Sequence, residues 1–208
     1  MVSTARAEEV VVPLRANRNG LVDPVTHMRS TLISASLLAI KERGYFEAYA
    51  KLLPRELHDP VLNAVAGTWL DLPLVVAHYR AANEIGVGPT DLIEIGRSVA
   101  RRIHDSLLGT LVKMAKNIGV TPWIGLEYQP KLWARVCMGG SVAVYRLGPK
   151  EARYEAHGFP DLAKIAYFRS SLRGMFIGSG ELFCSRMFVQ EIPSFTARGV
   201  IALRAAWA

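Results

Sequence analysis

The hydrophobic period of the chain changes once, at Gly139-Gly140, and that change narrows the folds open to it. After the two glycines, residues 141–147 alternate, with Val142 and Val144 on one face and Ala143, Tyr145 and Leu147 on the other. Side chains two apart share a face of a strand, so this segment reads as β. Gly148-Pro149-Lys150 is turn chemistry, and residues 153–157 return as a second strand. Asp161, beside Pro160, opens a helix whose apolar positions Leu162, Ile165, Phe168, Leu172 and Phe176 keep three- and four-residue spacing until the glycines at 178 and 180 end it. Residues 183–192 and 200–207 read as a last hairpin around a loop at 193–199. A ββαββ antiparallel unit is therefore expected over residues 139–208.

Upstream of the glycines the dominant spacing is helical. A helix is expected from about Pro24, with Met28, Leu32, Ala35, Leu38 and Ile40 on its stripe and Gly44 as its stop. Asp59 is expected to cap a short helix that carries Pro60 in its first turn, and Pro73 to open another. Trp69, Leu70, Leu72 and Pro73 form an apolar patch between the two. The most periodic segment is 91–118, with Thr90 as N-cap, Asp91 and Glu94 in the first turn and Gly119 as the stop. Its stripe runs through Leu92, Ile95, Val99, Ile103, Leu107, Leu111, Met114 and Ile118. At 1.5 Å per residue it spans about 40 Å and serves as a spine for the other helices. A further short helix is expected over 128–138. The fold class expected is α+β: an N-terminal helical layer with a long spine helix, closed by the C-terminal ββαββ unit. Residues 1–20 read as a mobile tail with one short strand at Val10, Val11 and Val12, and residues 21–208 as a single domain, helical over 21–138 and sheet-containing over 139–208.

Composition excludes more than it selects. With 50% hydrophobic residues in a chain of 208, a substantial core is available. The balance of 25 Lys and Arg against 18 Asp and Glu gives a net charge of +7, which would permit association with nucleic acid or an anionic surface. The cations are dispersed, Arg101-Arg102 being the only adjacent basic pair, so nucleic acid is not the expected partner. Cys137 and Cys184 form no framework or metal knuckle, and no long apolar run marks a signal peptide or a membrane span; a cytoplasmic protein is expected.

The segment order, the Gly139-Gly140 to Tyr145 strand, the Tyr167-Phe168 and Arg173-Gly174 stretch and the closing strand ending in Trp207 together resemble the heme-NO-binding (H-NOX) and vinyl-4-reductase superfamily, which also includes TRAPP trafficking subunits. They are also similar to an uncharacterised myxobacterial family of the same layout. The resemblance covers residues 24–207 and implies a ligand cavity enclosed by the helical layer. It also implies, for heme members, a proximal histidine and a Tyr-x-Ser-x-Arg motif for the propionates. His104 is the single histidine of the long helix and the heme-ligand candidate. The segment Tyr145-Arg146-Leu147-Gly148-Pro149 lacks the Ser and the Arg, so heme is disfavoured and no cofactor is expected.

No constellation of residues carries catalysis. Ser98, Ser106, Ser170 and Ser171 fall inside expected helices, without the glycine elbow that exposes a nucleophile. The pairs His58-Asp59 and His104-Asp105, with His27 and His78, do not make a metal set, and no metal is expected. Trp69, Tyr79, Trp123, Trp133 and Tyr145 are candidates to line a ligand pocket between helices and sheet, and Arg97, Arg101 and Arg102 to bind an anion. The function expected is a non-enzymatic sensor or protein-interaction module, homodimeric, taking a small apolar ligand or a protein partner. The alternative is a basic module for nucleic acid or an anionic surface.

Overall fold

A computed structural model describes residues 8–103 and 121–208. In chain order, β1 (Glu9–Val12) is followed by β2 (His27–Arg29), α1 (Ser30–Glu42), α2 (Phe46–Leu52), α3 (His58–Leu62), β3 (Trp69–Asp71), α4 (Leu72–Glu84) and α5 (Pro89–Ile103). The second part holds α6 (Pro122–Glu127), α7 (Gln129–Val136), β4 (Cys137–Met138), β5 (Ser141–Gly148), β6 (Glu151–His157), α8 (Ala166–Gly180), β7 (Met187–Glu191) and β8 (Ile201–Trp207). The fold is α+β, a helical layer closed by an antiparallel sheet, and the ββαββ unit is present.

The main sheet has the order β1-β5-β6-β8-β7. β6 and β7 are joined by α8 and do not touch; β8 returns between them and pairs with both. Its inner face carries Val142, Val144, Tyr154, Ala156, Ile201, Leu203 and Val189, buried beneath α8. The outer face is charged, with Arg153 paired to Glu155 and Arg204 to Glu151. The strand expected in the N-terminal segment is β1, which pairs with β5 as the sheet's edge.

Three short strands differ from the expectation. Met28 does not begin the first helix; it lies in β2, opposite Leu70 of β3 and Cys137 of β4, and α1 starts at Ser30. The apparent Met28-to-Leu32 helical step thus spans a strand-to-helix junction. The apolar patch at Trp69 and the end of the expected helix at Cys137 complete this second sheet, ordered β3-β2-β4. Gly139 and Gly140 turn the chain from one sheet to the other, both with positive φ (81° and 66°), and a Cβ at Gly139 would collide with the Pro24 carbonyl oxygen. Two caps also differ. Helix α5 begins at Pro89, so Thr90 lies within its first turn, and Asp59 accepts a hydrogen bond from Asn63 Nδ2 at 2.9 Å instead of capping α3. The spine is described as α5; its expected continuation to Ile118, with His104, lies outside the described residues.

Helices α5 and α8 meet backbone to backbone. A Cβ on Gly96 would strike the Ser171 carbonyl oxygen, and one on Gly174 the Ile93 carbonyl oxygen. Small residues at the crossing let the two axes approach until main-chain atoms touch, which fixes α5 against the helix that covers the sheet.

Candidate functional site

Between the helical layer and the inner face of the main sheet lies a cavity of about 130 Å³. Leu32 of α1, Tyr79 of α4 and Ala100 of α5 reach it from the helical layer, and Leu132, Trp133 and Val136 from one face of α7. Tyr154 of β6, Phe159 and the α8 residues Phe168, Leu172, Met175 and Phe176 form the opposite wall. Edge-to-face rings hold that wall: Tyr79 against Phe168 at 4.7 Å, and Phe159 against Phe168 at 5.5 Å. Tyr154 and Phe176 pack at 4.5 Å. The cavity is apolar because each bordering element turns its buried stripe toward it.

Four hydroxyls interrupt the described lining, those of Tyr79, Tyr154, Ser171 and Ser179, and the last of these is engaged. Tyr79 and Tyr154 are 4% and 2% exposed, and Ser171 is 4% exposed. The Tyr79, Tyr154 and Ser171 hydroxyls make no hydrogen bond to a described residue, and their oxygens open onto the cavity space instead of being sealed in the packing. Burial raises the pKa of both tyrosines, so they stay protonated donors, and it raises that of the neighbouring Cys137 thiol.

Beside the cavity, a chain of hydrogen bonds crosses the helical layer. Tyr49 Oη lies 2.8 Å from His78 Nδ1, His78 Nε2 lies 3.0 Å from Ser36 Oγ, and Ser36 Oγ lies 3.0 Å from Tyr167 Oη. All four side chains are buried. Burial pushes the His78 pKa down to about 3, so the imidazole is neutral, donating through one nitrogen and accepting through the other. Tyr167 is pushed up to about 12 by the same desolvation. The chain ties α1, α2, α4 and α8 together.

Of the five side chains expected to line a pocket, Tyr79 and Trp133 meet in the cavity. Trp69 instead stacks under the Arg29 guanidinium at 3.8 Å in the small sheet. Trp123 packs against Trp207 at 5.0 Å, and its Nε1 donates to the Pro149 carbonyl at 2.9 Å. Tyr145 lies on the outer face of the main sheet, beneath Arg153 at 4.3 Å. The tyrosine of this hairpin that borders the cavity is Tyr154, which the sequence reading passed over. Its signal was the alternation Ala152, Tyr154, Ala156 on the face toward α8. Two and four residues beyond Tyr154 stand Ala156 and Gly158, so this segment also lacks the Ser and the Arg of the propionate motif.

The three arginines named for anion binding have internal partners. Arg97 Nη2 lies 3.0 Å from Glu181 and its Nε 3.6 Å from Glu94. Arg101 donates to Ser98 Oγ at 2.9 Å, and Arg102 to Glu42 at 2.6 Å. Among the described residues, no cluster of three or more His, Cys, Asp or Glu is placed to hold a metal ion, and no helix is long and apolar enough to cross a membrane. A second hollow, of about 190 Å³, lies on the far side of Trp133 and Cys137 beside Arg15; its one side-chain hydroxyl, Ser141 Oγ, already accepts from the Arg15 backbone N–H at 2.9 Å.

No family model matches the chain, and no curated protein matches it. Solved structures do. An H-NOX family structure studied for heme distortion aligns with a TM-score of 0.58 at 11% identity, over 86% of this chain and 95% of that one. An oxygen-binding H-NOX domain related to soluble guanylate cyclases, in its oxygen complex, aligns with a TM-score of 0.58 at 12% identity, over 86% and 95%. The Fe(II) unliganded H-NOX protein from K. algicida gives 0.58 at 14%, over 87% and 97%. The expectation of no cofactor is corrected by this set, since the structures sharing the fold are H-NOX domains described by their heme, their iron or their bound oxygen. The absent propionate motif had weighed against heme from two positions of one segment, whereas the likeness extends over most of the chain. The protein has an H-NOX-like fold.

Proposed function

We propose that this chain is a non-catalytic sensor domain that holds its ligand in the cavity between the helical layer and the main sheet. The observation that carries this is the cavity itself: apolar, walled by elements from both halves of the chain, and bordered by the Tyr79, Tyr154 and Ser171 hydroxyls, which make no hydrogen bond to a described residue. Helix α8 borders the cavity, packs on the sheet and contacts α5 through its backbone, so a ligand that shifts α8 is felt by both layers. Homodimerisation belongs to the same proposal. The edge strand β7, with Phe188 half-exposed, is the face for it, and sedimentation velocity checks it.

The heme of the neighbouring structures makes heme the first cofactor to test. The described residues do not fit it as they stand. The cavity volume is close to that of an engineered cavity of about 150 Å³ that takes benzene, and far short of a macrocycle. No histidine borders it among the described residues, and His104 lies outside them. A heme would require Phe159, Phe168 or Phe176 to withdraw; Arg135 is the one cation among the described lining residues available to a propionate.

Titration with hemin, read by its Soret band, and with benzene, read by calorimetry, tests the proposal. Saturable uptake of at least one of the two is expected, and where both bind each should exclude the other from the shared cavity. If the chain takes up neither, the sensor reading is lost.

A further inference from the structure

We infer that the cavity is built for a neutral, single-ring molecule carrying one oxygen function, recognised by the Tyr79, Tyr154 and Ser171 hydroxyls. This rests on the sensor reading and names the chemistry of its ligand.

The size limit comes from the volume. About 130 Å³ is the scale of a cavity that accepts one benzene ring, so a single ring fills it, and a fused or longer molecule would have to project through its open side or displace the aromatic wall. Ring chemistry follows from the walls. Trp133, Phe159, Phe168 and Phe176 offer faces and edges to a flat guest, and Leu172 and Met175 fill around it.

The polar requirement comes from the three hydroxyls. Hydroxyls of buried side chains are nearly always hydrogen-bonded, and one that opens onto an apolar cavity without a partner is a donor held ready for whatever enters. Here three stand alone in one apolar cavity while the other buried hydroxyls nearby are engaged: Tyr49, Ser36 and Tyr167 are joined through His78. The contrast lies along one stretch of chain, since His78 is paired away from the cavity and Tyr79, the next residue, borders it unpaired. Tyr154 and Ser171 approach from β6 and α8. A single oxygen atom accepts from more than one such donor, which is how one oxygen function suits this lining.

Neutrality follows from the same walls. Arg135 is exposed, and the other polar groups of the described lining, the hydroxyls, the Gln129 amide and the Cys137 thiol, carry no charge, so among the described residues a charged guest held away from Arg135 would be desolvated without a counter-ion.

Benzene and phenol are the probes, titrated by calorimetry into the full chain and into Y79F and Y154F. These substitutions remove an atom that makes no hydrogen bond to a described residue and keep the ring, so circular dichroism and melting temperature should match those of the unaltered protein. Saturable binding of both probes is expected. The ratio of phenol to benzene association constants should fall about fivefold in each variant, the loss of one hydrogen bond of ordinary net strength. An unchanged ratio in both variants overturns the inference and leaves the cavity as a binding site. Uptake of hemin with no saturable binding of phenol overturns the inference and leaves the sensor reading standing. Failure of hemin, benzene and phenol alike overturns both.

Discussion

Lowering the pH from 7 to 5 is expected to destabilise the protein through His78 by about 2 kcal/mol. In the unfolded chain the imidazole titrates near 6.5, and in the folded protein burial lowers its pKa to about 3. Between those values the unfolded chain binds a proton that the folded one refuses. The contribution is therefore complete above the unfolded pKa and is lost as pH falls through the window toward the folded value. Each pH unit is about 1.4 kcal/mol, which gives about 2 kcal/mol at pH 5 and about 5 kcal/mol over the whole window. The carboxyls of Glu42 and Glu155 are held below their ordinary range, Glu42 chiefly by its hydrogen bond from Arg102, while for Glu155 the bonds from His157 and Arg153 outweigh desolvation. Their contributions are lost only as pH drops below that ordinary range, so the interval from 7 to 5 isolates histidine. Urea unfolding of the wild type and of His78→Gln at both pH values is the assay. Glutamine does not titrate, so the stability gap between the two proteins should narrow by about 2 kcal/mol at pH 5. A gap that stays constant within about 0.5 kcal/mol would refute the buried, neutral imidazole.

Packing makes two further predictions. Gly96→Ala or Gly174→Ala forces a methyl group against a carbonyl oxygen of the facing helix, an overpacking cost of about 1–3 kcal/mol. Gly88→Ala, with open space around the added Cβ, is the control and should be close to neutral in the same urea titration. Tyr79→Phe and Tyr154→Phe should each leave ligand-free stability within about 0.5 kcal/mol, because each removes a hydroxyl that makes no hydrogen bond to a described residue, and a clearly lowered melting temperature would show that the hydroxyl was engaged after all.

The parts of the fold visible in the sequence are those long enough to show a period. Residues 141–147 alternate over several pairs, and Phe168, Leu172 and Phe176 keep helical spacing, so β5 and α8 were legible with their faces, although α8 begins at Ala166 and the expected first positions Leu162 and Ile165 lie in and just after a separate 3-10 turn. β2, β3 and β4 have two or three residues each, too few to complete a period, and their pairing joins segments far apart in sequence. The cavity was half visible for a related reason. Tyr79 and Trp133 sit on stripes that face inward, whereas Trp69, Trp123 and Tyr145 sit at breaks or on an outer face, where an aromatic ring serves equally well as a shelf for an arginine. Nothing in the spacing of Ser36, Tyr49, His78 and Tyr167 announces their hydrogen-bond chain, since it is made by four helices meeting in space.

The position of β8 has a kinetic consequence. β6 and β7 present facing edges with no ladder between them until the strand that follows both in sequence slides in and pairs on each side. Closure of the sheet thus waits on contacts of long sequence separation, the kind of search that slows folding. Until it happens, the Tyr154 wall is braced by β5 alone and two hydrogen-bonding edges stand open. The cavity's sheet wall is thus backed on its second side only by the strand that arrives last.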